Sequence, residues 1–134
     1  MRRPKSEGVN ARPACRVVFE EITLKCTTEV REGRTVLIVG EERLDASNSA
    51  ELREIMLNLL EVGGQKLVID LSQVNFIDSS GLGALLSGFK SANLRSGSLV
   101  LAGLQSRVQS MFELTRLHRV FEIFSSVDDA LAHA

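Results

Sequence analysis

Two periodicities alternate along the chain. From Ile22 to Val30 the residues Ile22, Leu24, Cys26, Thr28 and Val30 are apolar or semi-apolar at every second position, the repeat of a half-buried strand. Glu32-Gly33-Arg34 separates this run from Thr35-Val36-Leu37-Ile38-Val39, and the two together predict a hairpin. After Gly40 and a loop ending in Asp45-Ala46-Ser47-Asn48-Ser49 the spacing changes. Leu52, Ile55, Met56, Leu59 and Leu60 fall at i, i+3, i+4, i+7 and i+8, one stripe of a helix that Gly63-Gly64 closes.

The alternation then repeats. Lys66-Leu67-Val68-Ile69-Asp70-Leu71 is a short aliphatic run with no alternation, as expected of a central strand covered on both faces. Leu82, Leu85, Leu86 and Phe89 restore the helical spacing from the serines at 79 and 80 onward, and Gly97 is placed to end that helix. Ser98-Leu99-Val100-Leu101-Ala102 predicts a further strand, and Val108, Met111 and Phe112 a third helical stripe that stops near His118. Val120-Phe121-Glu122-Ile123-Phe124 predicts a last strand before a helical tail from Val127 to Ala134. The fold class is therefore α/β: one domain whose mixed central sheet opens with an antiparallel hairpin and continues in strand-helix units, with parallel strands joined by right-handed crossovers. Residues 1 to 15 hold both prolines, Pro4 and Pro13, and little apolar periodicity. They are expected to be a flexible extension, with the domain running from 16 to 134. Val17-Val18-Phe19 fits either an extra edge strand or a short outer helix.

Composition narrows the partners. Sixteen Lys and Arg against seventeen Asp and Glu leave a formal charge of -1, so no overall field favours nucleic acid or an anionic membrane. Six Phe with no Trp or Tyr remove the stacking platforms of a single-strand nucleic-acid binder. Glu7, Asn10 and Arg12 stand where a signal peptide would be apolar, and no run approaches a membrane span. The expectation is a cytoplasmic chain without nucleic-acid or membrane contact. Cys15 and Cys26 form no CxxC pair and only His118 and His133 accompany them, so neither a metal nor another cofactor is expected. A disulfide between the two cysteines stays open; the simpler reading is a reduced chain with Cys26 in the core.

The candidate chemistry lies in Asp78-Ser79-Ser80-Gly81-Leu82-Gly83. Either serine hydroxyl can cap the free N–H groups of the first helical turn, a purely structural role. A phosphate on such a serine would add about -1.5 to -2 charges at the positive end of a helix dipole, where a surface anion gains on the order of 0.3 to 1 kcal/mol. Asp78 next door would sharpen the negative patch that a docked partner meets. Gly81-x-Gly83 matches phosphate-cradling loops only in part, since Leu86 stands where a small residue is needed and the Walker Gly-Lys-Ser/Thr ending is absent. The two glycines are expected instead to let the helix start approach neighbouring chain or a partner, at about 1 kcal/mol each in helix propensity. G-x-S-x-G is absent and neither histidine has a motif tying it to Ser79, so no catalytic residue is assigned and no enzyme is expected. Asp45, Asp70 and Asp78 lie on separate loops, without sequence evidence of a metal site.

From Thr35 to Ala132 the chain resembles the STAS domain, the sulphate transporter and anti-sigma factor antagonist fold, and within it the free-standing bacterial anti-sigma factor antagonists. The residues that carry the resemblance are Gly40 with Arg43-Leu44-Asp45, Val68-Ile69-Asp70-Leu71, Asp78-Ser79-Ser80-Gly81-Leu82-Gly83 and Val120-Phe121-Glu122-Ile123-Phe124. The resemblance implies that Ser79, directly after the motif aspartate, is phosphorylated by a cognate anti-sigma factor, itself a serine kinase of the histidine-kinase-like ATPase type; Ser80 is the second candidate. It implies further that the unmodified chain binds that kinase and frees a sigma factor, and that a metal-dependent serine phosphatase reverses the release caused by phosphorylation. Asp45, Asp78, Ser80, Gly81, Leu82 and Gly83 are implied as the partner-facing set, on a monomer or weak dimer. Arg116 departs from the glycine that relatives commonly carry after the Leu-Thr pair, and the N-terminal segment is long. The alternatives are a STAS scaffold or sensory module in a larger signalling assembly, and a nucleotide-binding STAS protein.

Overall fold

The computed structural model describes residues 24–63 and 66–133. The expectations for residues 1 to 15, Val17-Val18-Phe19, Cys15 and Ile22 lie outside the described residues. Strands β1 (Cys26–Arg31) and β2 (Arg34–Val39) form the hairpin, with Arg31 opposite Arg34. The two residues between them, Glu32 and Gly33, both have positive φ, 54° and 78°, as a tight turn matching the twist of its strands requires. Leu24, Cys26 and Thr28 are buried as the alternation predicts, but Val30, at the hairpin tip, is 74 % exposed.

The rest of the chain runs β3 (Arg43–Leu44), α1 (Ser49–Glu61), β4 (Lys66–Asp70), β5 (Phe76–Ile77), α2 (Ser79–Leu94), β6 (Ser98–Ala102), α3 (Ser106–Leu114), a 3-10 turn (Leu117–Arg119), β7 (Ile123–Phe124) and α4 (Val127–His133). Five strands pair in the order β1-β2-β4-β6-β7, antiparallel only between β1 and β2, while β3 and β5 form a separate parallel pair. Alternate residues of the large sheet feed two apolar clusters. Leu37, Leu67, Ile69 and Leu101 join Leu52 and Met56 of α1, Leu85 of α2 and Phe112 of α3 on one face. Val36, Val68 and Val100 meet Ala130 and Leu131 of α4 on the other. The uninterrupted apolar run of β4 is thus explained, since Leu67, Val68 and Ile69 are all buried. Each such side chain contributes about 1.5–3 kcal/mol through burial.

The last strand is shorter than the apolar run that predicts it. Val120 and Phe121 donate their N–H groups to Leu117 and are still winding in the 3-10 turn, so only Ile123 and Phe124 pair with β6. Phe121 is apolar for a different reason: its ring meets Phe89 and Phe112 edge to face at 5.1 and 5.6 Å. Arg116, at the close of α3, has φ 65°, the left-handed conformation that glycine adopts without strain. Cys26 is buried in the core on the α1 side.

Candidate functional site

The short strands β3 and β5 build the site. Their parallel register sets Arg43 beside Phe76 and Leu44 beside Ile77. Leu44 and Ile77 turn inward and are almost fully buried. Arg43 and Phe76 face the other way, with the guanidinium carbon 4.2 Å from the ring centroid, a cation–π contact worth about 0.5–1 kcal/mol at an exposed position. The Asp78 N–H donates to the Leu44 carbonyl at 3.1 Å, which extends the pairing by one residue. Asp78 therefore stands next to the point where Asp45 leaves β3.

Helix α2 starts at Ser79, as the periodicity predicts, but neither serine caps it. Asp78 is the N-cap: its backbone is extended, and its Oδ1 accepts the Gly81 N–H at 3.1 Å. A carboxylate reaches the third helical N–H as well as a serine hydroxyl does and adds charge at the positive end of the dipole. The Ser79 side chain is exposed, and its hydroxyl makes no hydrogen bond among the described residues. Ser80 is half-buried.

The two glycines that follow differ. A Cβ on Gly81 would stand 2.7 Å from Ile77 Cγ1 and 2.8 Å from the Leu44 carbonyl oxygen, whereas a Cβ on Gly83 would meet nothing within 4 Å. Gly81 thus lets the helix start lie against β3 and β5, and it faces packed chain where a phosphate cradle would need open space. Gly83 leaves a flat, exposed spot on the outer face of the first turn. Leu82, 4 % exposed, packs into the core.

Asp45 is held from its own loop. Its Oδ1 accepts the Ser47 hydroxyl at 2.6 Å and the Ser47 N–H at 3.0 Å, and its Oδ2 lies 3.4 Å from Arg43 Nε. The Ser47 hydroxyl, then the Ser47 N–H, hold its carboxyl below the usual carboxylate range. Asn48 completes the loop by donating to the Arg43 carbonyl and accepting the Asp45 N–H.

The family model described as the STAS domain matches residues 25–130. The chain belongs to the STAS domain family. The anti-sigma-B factor antagonist of Listeria monocytogenes is 34% identical to it over 104 residues, 75% of this chain and 90% of that protein. The Bacillus subtilis protein of the same name is 36% identical over 88 residues, 66% and 78% of the two chains. The crystal structure of an anti-sigma factor antagonist from Mycobacterium paratuberculosis has the same fold, with a TM-score of 0.74 at 23% identity over 86% of this chain and 97% of that one. Relatives of this kind are regulators, not enzymes.

In this STAS domain Asp45, Asp78, Ser79, Ser80 and Gly83 gather where β3 and β5 end and α2 begins, while Gly81 and Leu82 underpin that corner from inside. Arg43 and Phe76 belong to the same surface and were not singled out from the sequence. The available signal was their offset: each precedes one of the two aspartates by two residues, the spacing that puts strand side chains on one side. The histidines are engaged elsewhere. His118 Nδ1 lies 3.3 Å from the Phe112 carbonyl oxygen, and His133 Nδ1 lies 2.9 Å from that of Asp129, its ring stacked on Phe124. Ser79 thus has no general base of the serine-histidine kind among the described residues. Among those residues no group of three or more His, Cys, Asp or Glu side chains is placed to hold a metal ion, and no helix is long and apolar enough to cross a membrane.

Proposed function

We propose that this chain is an anti-sigma factor antagonist and that Ser79 is its switch. In the unmodified state the surface of Asp45, Asp78, Ser79, Ser80 and Gly83, with Arg43 and Phe76 at its rim, docks on an anti-sigma factor serine kinase and frees a sigma factor. The kinase then transfers the γ-phosphoryl group of ATP to Ser79 Oγ, the hydroxyl proton leaves and ADP is released. The new dianion sits beside Asp78 and Asp45, so the partner meets a repulsive patch and dissociates. The first turn of α2 tolerates the same charge, because its free N–H groups and dipole favour an anion. A metal-dependent serine phosphatase resets the cycle.

One observation carries this reading: Asp78 does the capping, which leaves the Ser79 hydroxyl exposed and without a partner among the described residues. Support comes from the relatives named anti-sigma-B factor antagonist. Further support is the fold shared with the Bacillus cell fate determinant SpoIIAA in its phosphorylated form, at a TM-score of 0.63 and 17% identity over 81% of this chain and 97% of that one. The test is incubation with the anti-sigma kinase and ATP, followed by mapping of the phosphosite by mass spectrometry. Modification is expected on Ser79 and lost in Ser79→Ala, which still binds the kinase, while Ser79→Asp binds about tenfold or more weakly. Phosphate found on Ser80 or elsewhere would refute the assignment.

A further inference from the structure

The aspartates of the site corner are occupied, while its arginine has donors to spare. Asp78 accepts the Gly81 N–H on Oδ1, and Asp45 accepts from Ser47 on Oδ1 and lies 3.4 Å from Arg43 Nε through Oδ2. Arg43 spends only Nε in this way. Its side chain is 60 % exposed, and its two η nitrogens have no hydrogen-bond or ion-pair partner among the described residues. A planar fork of this kind can grip a carboxylate with two parallel bonds.

Phe76 is placed for the same surface. Of the five described phenylalanines it alone joins neither apolar cluster: Phe89, Phe112 and Phe121 pack on the α1 side of the sheet and Phe124 on the α4 side. Its ring is half-buried, and the Arg43 guanidinium lies over it with the central carbon 4.2 Å from the centroid. Strand register holds the two together, since Arg43 pairs with Phe76 across β3 and β5. The ring thus orients the guanidinium before any partner arrives, which lowers the entropy cost of a contact made by a long side chain. Both residue types are among those that interfaces favour.

We propose that the Arg43–Phe76 stack is the specificity contact of the docking surface and that it takes a carboxylate, an Asp or Glu side chain of the anti-sigma kinase. This rests on the reading of Ser79 as the switch and names the partner's chemistry at that surface. It also accounts for the sign of the switch. Ser79 follows Phe76 by three residues, so their Cα atoms are at most about 11 Å apart, comparable to the screening length of about 8 to 10 Å near physiological salt. A dianion on Ser79 repels a carboxylate held at Arg43, whereas it would attract a basic group there.

The test is binding of the full chain to the kinase, followed by surface plasmon resonance at low and high salt. Arg43→Gln is expected to bind about tenfold more weakly, chiefly through slower association, and with a shallower salt dependence than the wild type, a change that a purely structural role would not produce. Arg43→Lys should recover only part of the loss, since an ammonium offers no planar fork. Phe76→Leu, checked for an unchanged far-ultraviolet dichroism spectrum, should weaken binding about threefold, and the double variant should bind no more weakly than Arg43→Gln alone. Unchanged or tighter binding by Arg43→Gln, full rescue by Arg43→Lys, or losses that add in the double variant would overturn the proposal. If the wild type binds the kinase and is phosphorylated on Ser79 while Arg43→Gln matches it in affinity and salt dependence, this contact alone fails. If the wild type neither binds nor is modified, the switch reading fails and the contact falls with it.

Discussion

Helix α2 is closed differently at its two ends. At the start, the Asp78 carboxylate accepts the Gly81 N–H, Gly81 lies hard against Leu44 and Ile77, and an exposed hydroxyl is left over. At the finish, backbone alone does the work: the Ser96 N–H donates to Asn93 at 3.1 Å and the Gly97 N–H to Ala92 at 2.8 Å, with Ser96 in the left-handed region at φ 61°. This is the paired bonding of a Schellman close, with serine where glycine is usual. A side-chain cap concentrates charge and ties the helix to neighbouring strands. A backbone cap does neither, and Leu94 beside it is 87 % exposed. The end that needs particular side chains is the one that carries the candidate chemistry.

Five substitutions break or sharpen the contrast. The largest effect is expected for Gly81→Ala, because the added Cβ would meet the Leu44 carbonyl, which already holds the Asp78 N–H and cannot retreat. A loss of about 3 kcal/mol is expected in urea unfolding, and wild-type stability would show that the helix start is not packed this way. Asp78→Ala should cost about 1 kcal/mol through the lost cap, against less than about 0.5 kcal/mol for Ser79→Ala. A reversed order would make the serine the cap after all. Gly83→Ala has open space around its Cβ and should stabilise by about 1 kcal/mol through helix propensity, so the two glycines of one motif should respond with opposite signs. At the other end, Ser96→Gly should raise stability by about 0.5 kcal/mol, the relief of left-handed strain less the added entropy of the unfolded chain; thermal unfolding followed by dichroism would detect it.

Much of this architecture was legible from residue spacing. The stripes at Leu52, Ile55, Met56, Leu59 and Leu60 and at Leu82 and Leu85 are buried in α1 and α2, because several turns of consistent spacing leave little ambiguity. Two-residue strands have no period to detect, so β3 and β5, and with them Arg43 and Phe76, did not stand out. Phe121 was apolar for a ring cluster rather than a strand, a distinction that pattern alone does not contain. Gly97 was placed correctly at a helix end, but Ser96 adopts the left-handed turn. At the motif itself, aspartate and serine are comparable N-caps, so local preference could not choose between Asp78 and Ser79.

The order and type of the elements, and the placing of an aspartate and two serines at a helix start, were determined by the sequence, since burial acts through local periods of two and 3.6 residues. Tertiary structure decided which of those side chains caps the helix, which glycine is packed, and that Asp45 stands beside Asp78. These are distances between residues far apart in the chain, set by the pairing of β3 with β5, and no local preference carries them.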